Sequence, residues 1–229
     1  RPSSRELVNM TQTLLLTSAG IVPPIRDYFI SLLPRRKPED NRVAFVTTAA
    51  YGESKNPAWM DKDRESLQHC GIKHIEDLDL KDKTTGDLER VLSDKNIIFV
   101  NGGNTFYLLY WVRKSGFDKI LPDFLKRGGL YVGVSAGSYI ACPSIEMAAW
   151  KHQDRNRVGI TDFRALNLVP FLITAHFEEQ YRTIVDQAAK RTKYPIVALT
   201  DKQAVVVRED EVKVVGEGKR EYWNGFKER

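Results

Sequence analysis

The chain has 229 residues, 42% hydrophobic and 28% charged, with a formal net charge of +5, part of which sits in the two chain ends. No apolar run approaches the roughly 20 residues of a membrane span, and no basic run interleaved with aromatics suggests a nucleic-acid surface. Two cysteines, Cys70 and Cys142, and four scattered histidines supply neither a disulfide framework nor metal-ligand spacing. The expectation is a cytoplasmic protein without metal or organic cofactor, with no nucleic acid or membrane among its partners. A homodimer is left open.

Arg1 to Asn9 reads as a vector-derived remnant ahead of a natural start at Met10, with residues 10–229 as one α/β domain. Leu14–Thr17 predicts a first strand and Ile25–Leu33 a helix ended by Pro34. Arg42–Thr48 predicts a buried strand, followed by a polar loop at Tyr51–Asn56. Pro57 opens a helix to about His69, because a first-turn position does not need the missing N–H, and Gly71 caps it. Lys73–Leu80 is a weaker strand, Gly86–Leu92 a short helix, and Asn96–Val100 a strong strand broken by Asn101-Gly102-Gly103-Asn104. Helices over Thr105–Lys114 and Phe117–Arg127 lead through Gly128-Gly129 into the apolar Leu130-Tyr131-Val132.

Next comes Gly133-Val134-Ser135-Ala136-Gly137, followed by a helix start at Ser138–Ala141. The Gly-x-Ser-x-Gly spacing between strand and helix can present a serine on a strained tip, with glycines where side chains would collide. An ordinary Gly/Ser turn has the same spelling. Downstream lie a polar region from about Met147 to Arg164, a strand over Leu168–Thr174 and a helix over Glu178–Thr192. Ile196–Leu199, Ala204–Arg208 and Val212–Val215 predict short strands. Alternating strands and helices imply a mostly parallel sheet covered by helices, and the tail implies an antiparallel edge.

A serine hydroxyl needs a base, and the base needs an orienting group. His176 lies just past the predicted strand Leu168–Thr174, at the edge where open α/β sheets bind ligands. If the order is serine, acid, histidine, the acid is Glu146, Asp154 or Asp162, and Asp154 is favoured because its polar loop could fold back over the serine. The Ala136 N–H and the Gly102-Gly103-Asn104 loop could supply donors to a developing oxyanion, although a Gly-rich turn before a helix also suits a phosphate.

The blocks Phe99-Val100-Asn101-Gly102-Gly103-Asn104-Thr105-Phe106, Gly133–Ser138, Ala141-Cys142-Pro143-Ser144-Ile145, Ala165–Leu168 and His176-Phe177 together resemble the serine peptidase family of dipeptidase E and cyanophycinase. The resemblance implies a flavodoxin-like or glutamine-amidotransferase-like three-layer sandwich, mostly parallel with a C-terminal antiparallel edge. It implies Ser135 as nucleophile, His176 as base, Gly103 and Ala136 as oxyanion-hole donors, and an acid that counting back from Ala165-Leu166-Asn167 places at Asp154, with Glu146 as alternative. Asn104 and Arg182 would contact substrate. The segment after the histidine, Phe177-Glu178-Glu179-Gln180-Tyr181-Arg182, is shorter and more acidic than in dipeptidase E, so preference for an N-terminal aspartate does not transfer. The expected activity is hydrolysis of short peptides; an esterase or amidase on a small acyl metabolite, or a non-catalytic binder on the same fold, are the other readings.

Overall fold

The structure is a computed structural model that describes residues 12–151 and 154–229. The expectations for Arg1–Asn9 and Met10 lie outside the described residues. The chain runs β1 (Thr13–Thr17), α1 (Pro23–Ser31), β2 (Arg42–Val46), α2 (Thr48–Glu53), α3 (Trp59–His69), β3 (His74–Leu78), α4 (Thr85–Leu92) and β4 (Ile97–Val100). It continues through α5 (Thr105–Ser115), α6 (Phe117–Lys126), β5 (Leu130–Val134) and α7 (Ala136–Ala141). β6 (Leu172–Thr174), α8 (Arg182–Ala189), β7 (Ile196–Ala198), β8 (Gln203–Arg208), β9 (Glu211–Gly216) and β10 (Glu221–Trp223) complete it.

The main sheet has the order β3-β2-β4-β5-β1-β8-β9, parallel through β1 and antiparallel at β8 and β9. Successive strand residues point to opposite faces, and both faces are covered. Leu15, Phe45, Phe99 and Val132 pack with Ile25 and Phe29 of α1 and Met60 and Leu67 of α3. Leu14, Leu16, Ala44, Ile98, Val100 and Tyr131 pack on the other side against α4 to α7. Continuous apolar strands are what a sheet buried on both faces requires, so the three layers follow from the strand sequences themselves.

Three stretches of the chain depart from expectation. The strand from Arg42 stops at Val46, and Thr48–Glu53, expected as strand end and polar loop, is the short helix α2. Its Thr48, Ala49 and Ala50 are buried, and the adjacent alanines, the strongest helix formers, favour a helical turn there. The strand expected over Leu168–Thr174 is only Leu172–Thr174, and the helix expected over Glu178–Thr192 is a single 3-10 turn, Glu179–Tyr181, followed by α8.

The third departure shapes the site. The antiparallel edge is β8 and β9 alone, whereas β7 joins β6 and β10 in a separate three-stranded sheet, order β10-β7-β6. β6 and β7 are parallel, with Thr174 opposite Ala198. Because β8 runs antiparallel to β1, Ala204 at its start pairs with Thr17 at the end of β1. The connection from β7 to β8 therefore crosses from the small sheet to the C-terminal edge of the parallel strands.

Candidate active site

Ser135 occupies the turn between β5 and α7 with φ 49° and ψ −103°, outside the regions an L-residue favours. Strain of this kind costs on the order of 1–3 kcal/mol and persists only where the surroundings hold it. The two flanking glycines explain what holds it. A Cβ on Gly133 would lie 2.6 Å from the Gly137 carbonyl carbon, and one on Gly137 would lie 2.3 Å from the Val100 carbonyl oxygen. The turn is locked by the Ser135 N–H donating to the Thr17 carbonyl at 3.0 Å and by Ser138 Oγ donating to the Thr17 carbonyl at 2.8 Å.

His176 Nε2 lies 3.1 Å from Ser135 Oγ. Its other ring nitrogen, Nδ1, lies 2.6 Å from Asp201 Oδ1. His176 also has positive φ, 53°, so both partners of the serine–histidine contact sit on constrained backbone. An imidazole whose Nδ1–H donates to a carboxylate presents a lone pair on Nε2 to the serine, and it can accept the hydroxyl proton. The imidazole is 38% and the Asp201 carboxylate 63% exposed.

Asp201 reaches this position through the crossing described above. Leu199 N–H donates to the Thr174 carbonyl and Phe177 N–H to the Leu199 carbonyl, both at 2.9 Å, which ties the His176 segment to the residues just before Asp201. Ser18, buried after β1, joins the two ends: its Oγ accepts the His176 N–H at 2.7 Å and donates to Asp201 Oδ1 at 3.1 Å. Tyr139 Oη accepts the Ala175 N–H at 3.1 Å, and the Lys151 ammonium donates to the Ala175 carbonyl, so the peptide before His176 is braced on both sides. Burial lowers Lys151 to about 8.

The acids expected from sequence lie elsewhere. Asp154 is half-buried, and its Oδ2 accepts the Thr105 N–H at the start of α5, 2.9 Å away. Burial raises its carboxyl above the usual range, with the Thr105 hydrogen bonds opposing. Glu146 opens a 3-10 turn and is not on the cavity wall. Asp162 is held by Arg164, and the Arg164 guanidinium keeps its carboxyl well below the ordinary value. The carboxylate that meets His176 is that of Asp201, which follows the histidine in the chain. The expected serine–acid–histidine order hid it; the antiparallel β8 was the signal that could have found it.

The remaining expected residues divide. Gly103 has φ 140°, and a Cβ there would lie 2.2 Å from the Ala49 carbonyl oxygen, so only glycine fits. Gly103 lines the cavity beside Ser135, and among the described residues neither its N–H nor that of Ala136 donates to a protein acceptor. Asn104 is buried and caps α5: its Oδ1 accepts the Tyr107 N–H at 2.9 Å, while Nδ2 donates to the Arg155 carbonyl at 3.0 Å and to Glu53 at 3.3 Å. Arg182 pairs with Glu179 and with Glu221, 2.8 Å away, and is not among the cavity residues; neither are Glu178 and Glu179.

The cavity itself has a volume of about 430 Å³ and is walled by Ser18, Ala19, Val134, Ser135, His176, Gly102 and Gly103, with Glu53, Trp59, Lys62, Asp63 and Asp154 opposite. It lies at the C-terminal edge of the parallel strands, where such sheets bind ligands. Among the described residues, no helix is long and apolar enough to cross a membrane. A three-layer α/β fold with a serine–histidine pair at this edge defines the class as that of the serine hydrolases.

A model of peptidase family S51 matches residues 14–215, and the chain belongs to that family. An uncharacterized peptidase of Listeria monocytogenes is 29% identical over 209 residues, 88% of this chain and 97% of that one. Peptidase E of Escherichia coli is 42% identical over a shorter stretch of 86 residues, 38% of this chain and 36% of that protein. The crystal structure of a candidate peptidase E protein from Listeria monocytogenes matches with a TM-score of 0.77 at 26% identity, over 90% of this chain and 99% of that chain. A peptidase from an acI-B1 actinobacterium shares the fold, with a TM-score of 0.73 at 20% identity over 96% of this chain and 94% of that one. The chain is a serine-type peptidase.

Proposed function

We propose that the protein hydrolyses short peptides through Ser135, His176 and Asp201, without a metal or organic cofactor. Ser135 Oγ attacks the scissile carbonyl while His176 Nε2 takes its proton and then delivers it to the leaving amine; water repeats the cycle on the acyl-enzyme. Asp201 keeps Nδ1 protonated and the ring aimed at the serine. The N–H groups of Gly103 and Ala136 receive the oxyanion, a role in which one donor is worth about 3–4 kcal/mol. The turn that carries Ser135 acts as a nucleophile elbow, and a cavity of about 430 Å³ suits a few residues of peptide rather than a folded protein.

The observation that carries this reading is the chain of contacts from Ser135 Oγ through His176 to Asp201 Oδ1, at 3.1 and 2.6 Å. Asp154 serves the cavity wall instead of the imidazole. The test is stoichiometric labelling by a small fluorophosphonate, with the modified residue located by peptide mass analysis, alongside hydrolysis of a dipeptide panel. Labelling at Ser135 that tracks loss of peptidase activity is the expected result; full activity in a Ser135→Ala variant contradicts it.

A further inference from the structure

The cavity wall facing Ser135 and His176 has an uneven charge. Glu53 and Lys62 stand exposed at the mouth and oppose one another in sign. Deeper, the wall carries Asp154, half-buried, and Asp63, only 8% exposed. Neither of these two forms an ion pair among the described residues. Lys151 lies near enough to Asp154 to oppose the rise in its pKa slightly, while Glu53 adds to it.

Asp63 is the unusual member. Its Oδ2 accepts a hydrogen bond from Asn101 Nδ2 at 2.8 Å, and its Oδ1 has no hydrogen-bond partner among the described residues. A nine-tenths buried carboxylate on a cavity wall, with one oxygen lying against Gly20 and receiving no donor, is costly unless something positive enters the cavity. The cost is visible in its proton affinity: burial raises Asp63 to about 7, against a smaller opposing effect of the Asn101 hydrogen bond. Asn101 directly precedes the Gly102-Gly103 loop, so this carboxylate is anchored to the strand end that also carries the oxyanion-hole donor. Among the described residues no three His, Cys, Asp or Glu side chains converge closely enough to hold a metal ion. The positive charge that fits is therefore spread along an organic substrate.

We propose that the cavity takes short peptides whose first residue is basic, with Asp63 and Asp154 receiving the positive charges on the acyl side of the scissile bond. This rests on Ser135 as the reacting centre. A lysine or arginine at that position brings both an α-ammonium and a charged side chain, which two separated interior carboxylates can share. The guanidinium chemically suited to an acidic first residue, that of Arg182, is held by Glu179 and Glu221 away from the wall. Trp59, partly exposed, with Nε1 3.4 Å from the Gly102 carbonyl, offers an aromatic face to the aliphatic stem of such a side chain.

The test uses the full chain carrying Ser135→Ala, so that binding is read without turnover, by titration calorimetry at pH 8 with Lys-Ala, Nε-acetyl-Lys-Ala and Asp-Ala. Lys-Ala is expected to bind at least about tenfold tighter than its Nε-acetyl analogue, the scale of one charge-assisted contact, and Asp-Ala more weakly than either. Adding Asp63→Asn is expected to shrink the first ratio below about threefold. The proposal is overturned if Asp-Ala binds tightest, if acetylation changes nothing, if Asp63→Asn leaves the preference intact, or if none of the three binds. The peptide comparison stands by itself should the double variant fail to fold. Fluorophosphonate labelling of the unmodified protein runs in parallel: absence of labelling contradicts the serine mechanism, and a wrong order of peptide affinities contradicts only the charge preference.

Discussion

Ser135 and Asp201 meet the same imidazole from opposite sides and are held in opposite ways. Ser135 is placed by close backbone packing: Gly133 and Gly137 let β5, α7 and the end of β4 cross with no room for a Cβ, and hydrogen bonds to the Thr17 carbonyl lock the turn at φ 49°. Asp201 is placed by hydrogen bonds, through Ser18 Oγ and through a turn linking two sheets, and its carboxylate is 63% exposed. The difference bears on function. A serine on a rigid, strained tip cannot drift, whereas an acid facing solvent works mainly by orienting the ring and selecting its tautomer, because water screens its charge. The two sides should therefore differ in how steeply activity falls when they are altered.

The largest effect is expected at the rigid side. Ser135→Ala should lower kcat by about 10⁴-fold or more, measured with saturating dipeptide, as loss of a nucleophile does in triad enzymes. Gly103→Ala forces a Cβ to 2.2 Å from the Ala49 carbonyl oxygen at φ 140°, so the loop must move and take its N–H with it. Its kcat should fall about 10²–10³-fold, with a smaller change in KM, as for removal of one oxyanion donor.

On the hydrogen-bonded side, Asp201→Asn should lower kcat by about 10²–10³-fold, less than the roughly 10⁴ seen for a buried triad acid, because the carboxylate is exposed. Ser18→Ala, which removes the bridge between the His176 N–H and Asp201, should cost about tenfold in kcat, the scale of one hydrogen bond. If Ser18→Ala were as damaging as Asp201→Asn, the acid would be acting through its fixed position alone. If it were harmless, the β7–β8 turn would be holding Asp201 unaided.

A stability measurement separates the cavity wall from both sides. Asp63 has a folded pKa raised from 3.8 to about 7 by burial, so the folded state keeps a proton that the unfolded chain releases. The contribution is fully present below pH 3.8 and is lost as pH rises through about 7. Asp63→Asn should accordingly be more stable than the parent at pH 8 by roughly 2–4 kcal/mol in urea unfolding, with the advantage shrinking toward pH 4. An advantage that stays constant with pH would mean the carboxylate is not desolvated.

The two sides were also unequally legible. Ser135 is written in five consecutive residues, and its glycines, its preceding apolar strand and its following helix all carry the same message. Gly103 was readable for the same reason, as a break after the strong strand ending at Val100. Asp201 sits in Thr200-Asp201-Lys202, which reads as an ordinary turn between two short strands. Its contact with His176 depends on β8 running antiparallel to β1 and on β6 and β7 forming a second sheet, both long-range facts that local patterns do not record. The polar loop that favours Asp154 in the sequence does fold back to the cavity, but there its carboxylate meets Thr105 on the wall. Arg182, expected at the substrate through the family resemblance, is occupied by Glu179 and by Glu221, the latter 39 positions away in the chain and invisible to local pattern. Asn104, expected to contact substrate, is not on the cavity wall, and its side chain is spent on capping α5.

The choice between Asp201 and Asp154 is most directly decided by the rate at which a small neutral fluorophosphonate labels Ser135 in Asp201→Asn and in Asp154→Asn, since this probe needs the activated serine and makes no demand on the charged wall. Labelling is expected to slow at least about ten times more in Asp201→Asn than in Asp154→Asn, because only the former loses the Nδ1 acceptor. Equal slowing in the two variants, or greater slowing in Asp154→Asn, would contradict the assignment of Asp201 as the acid of the site.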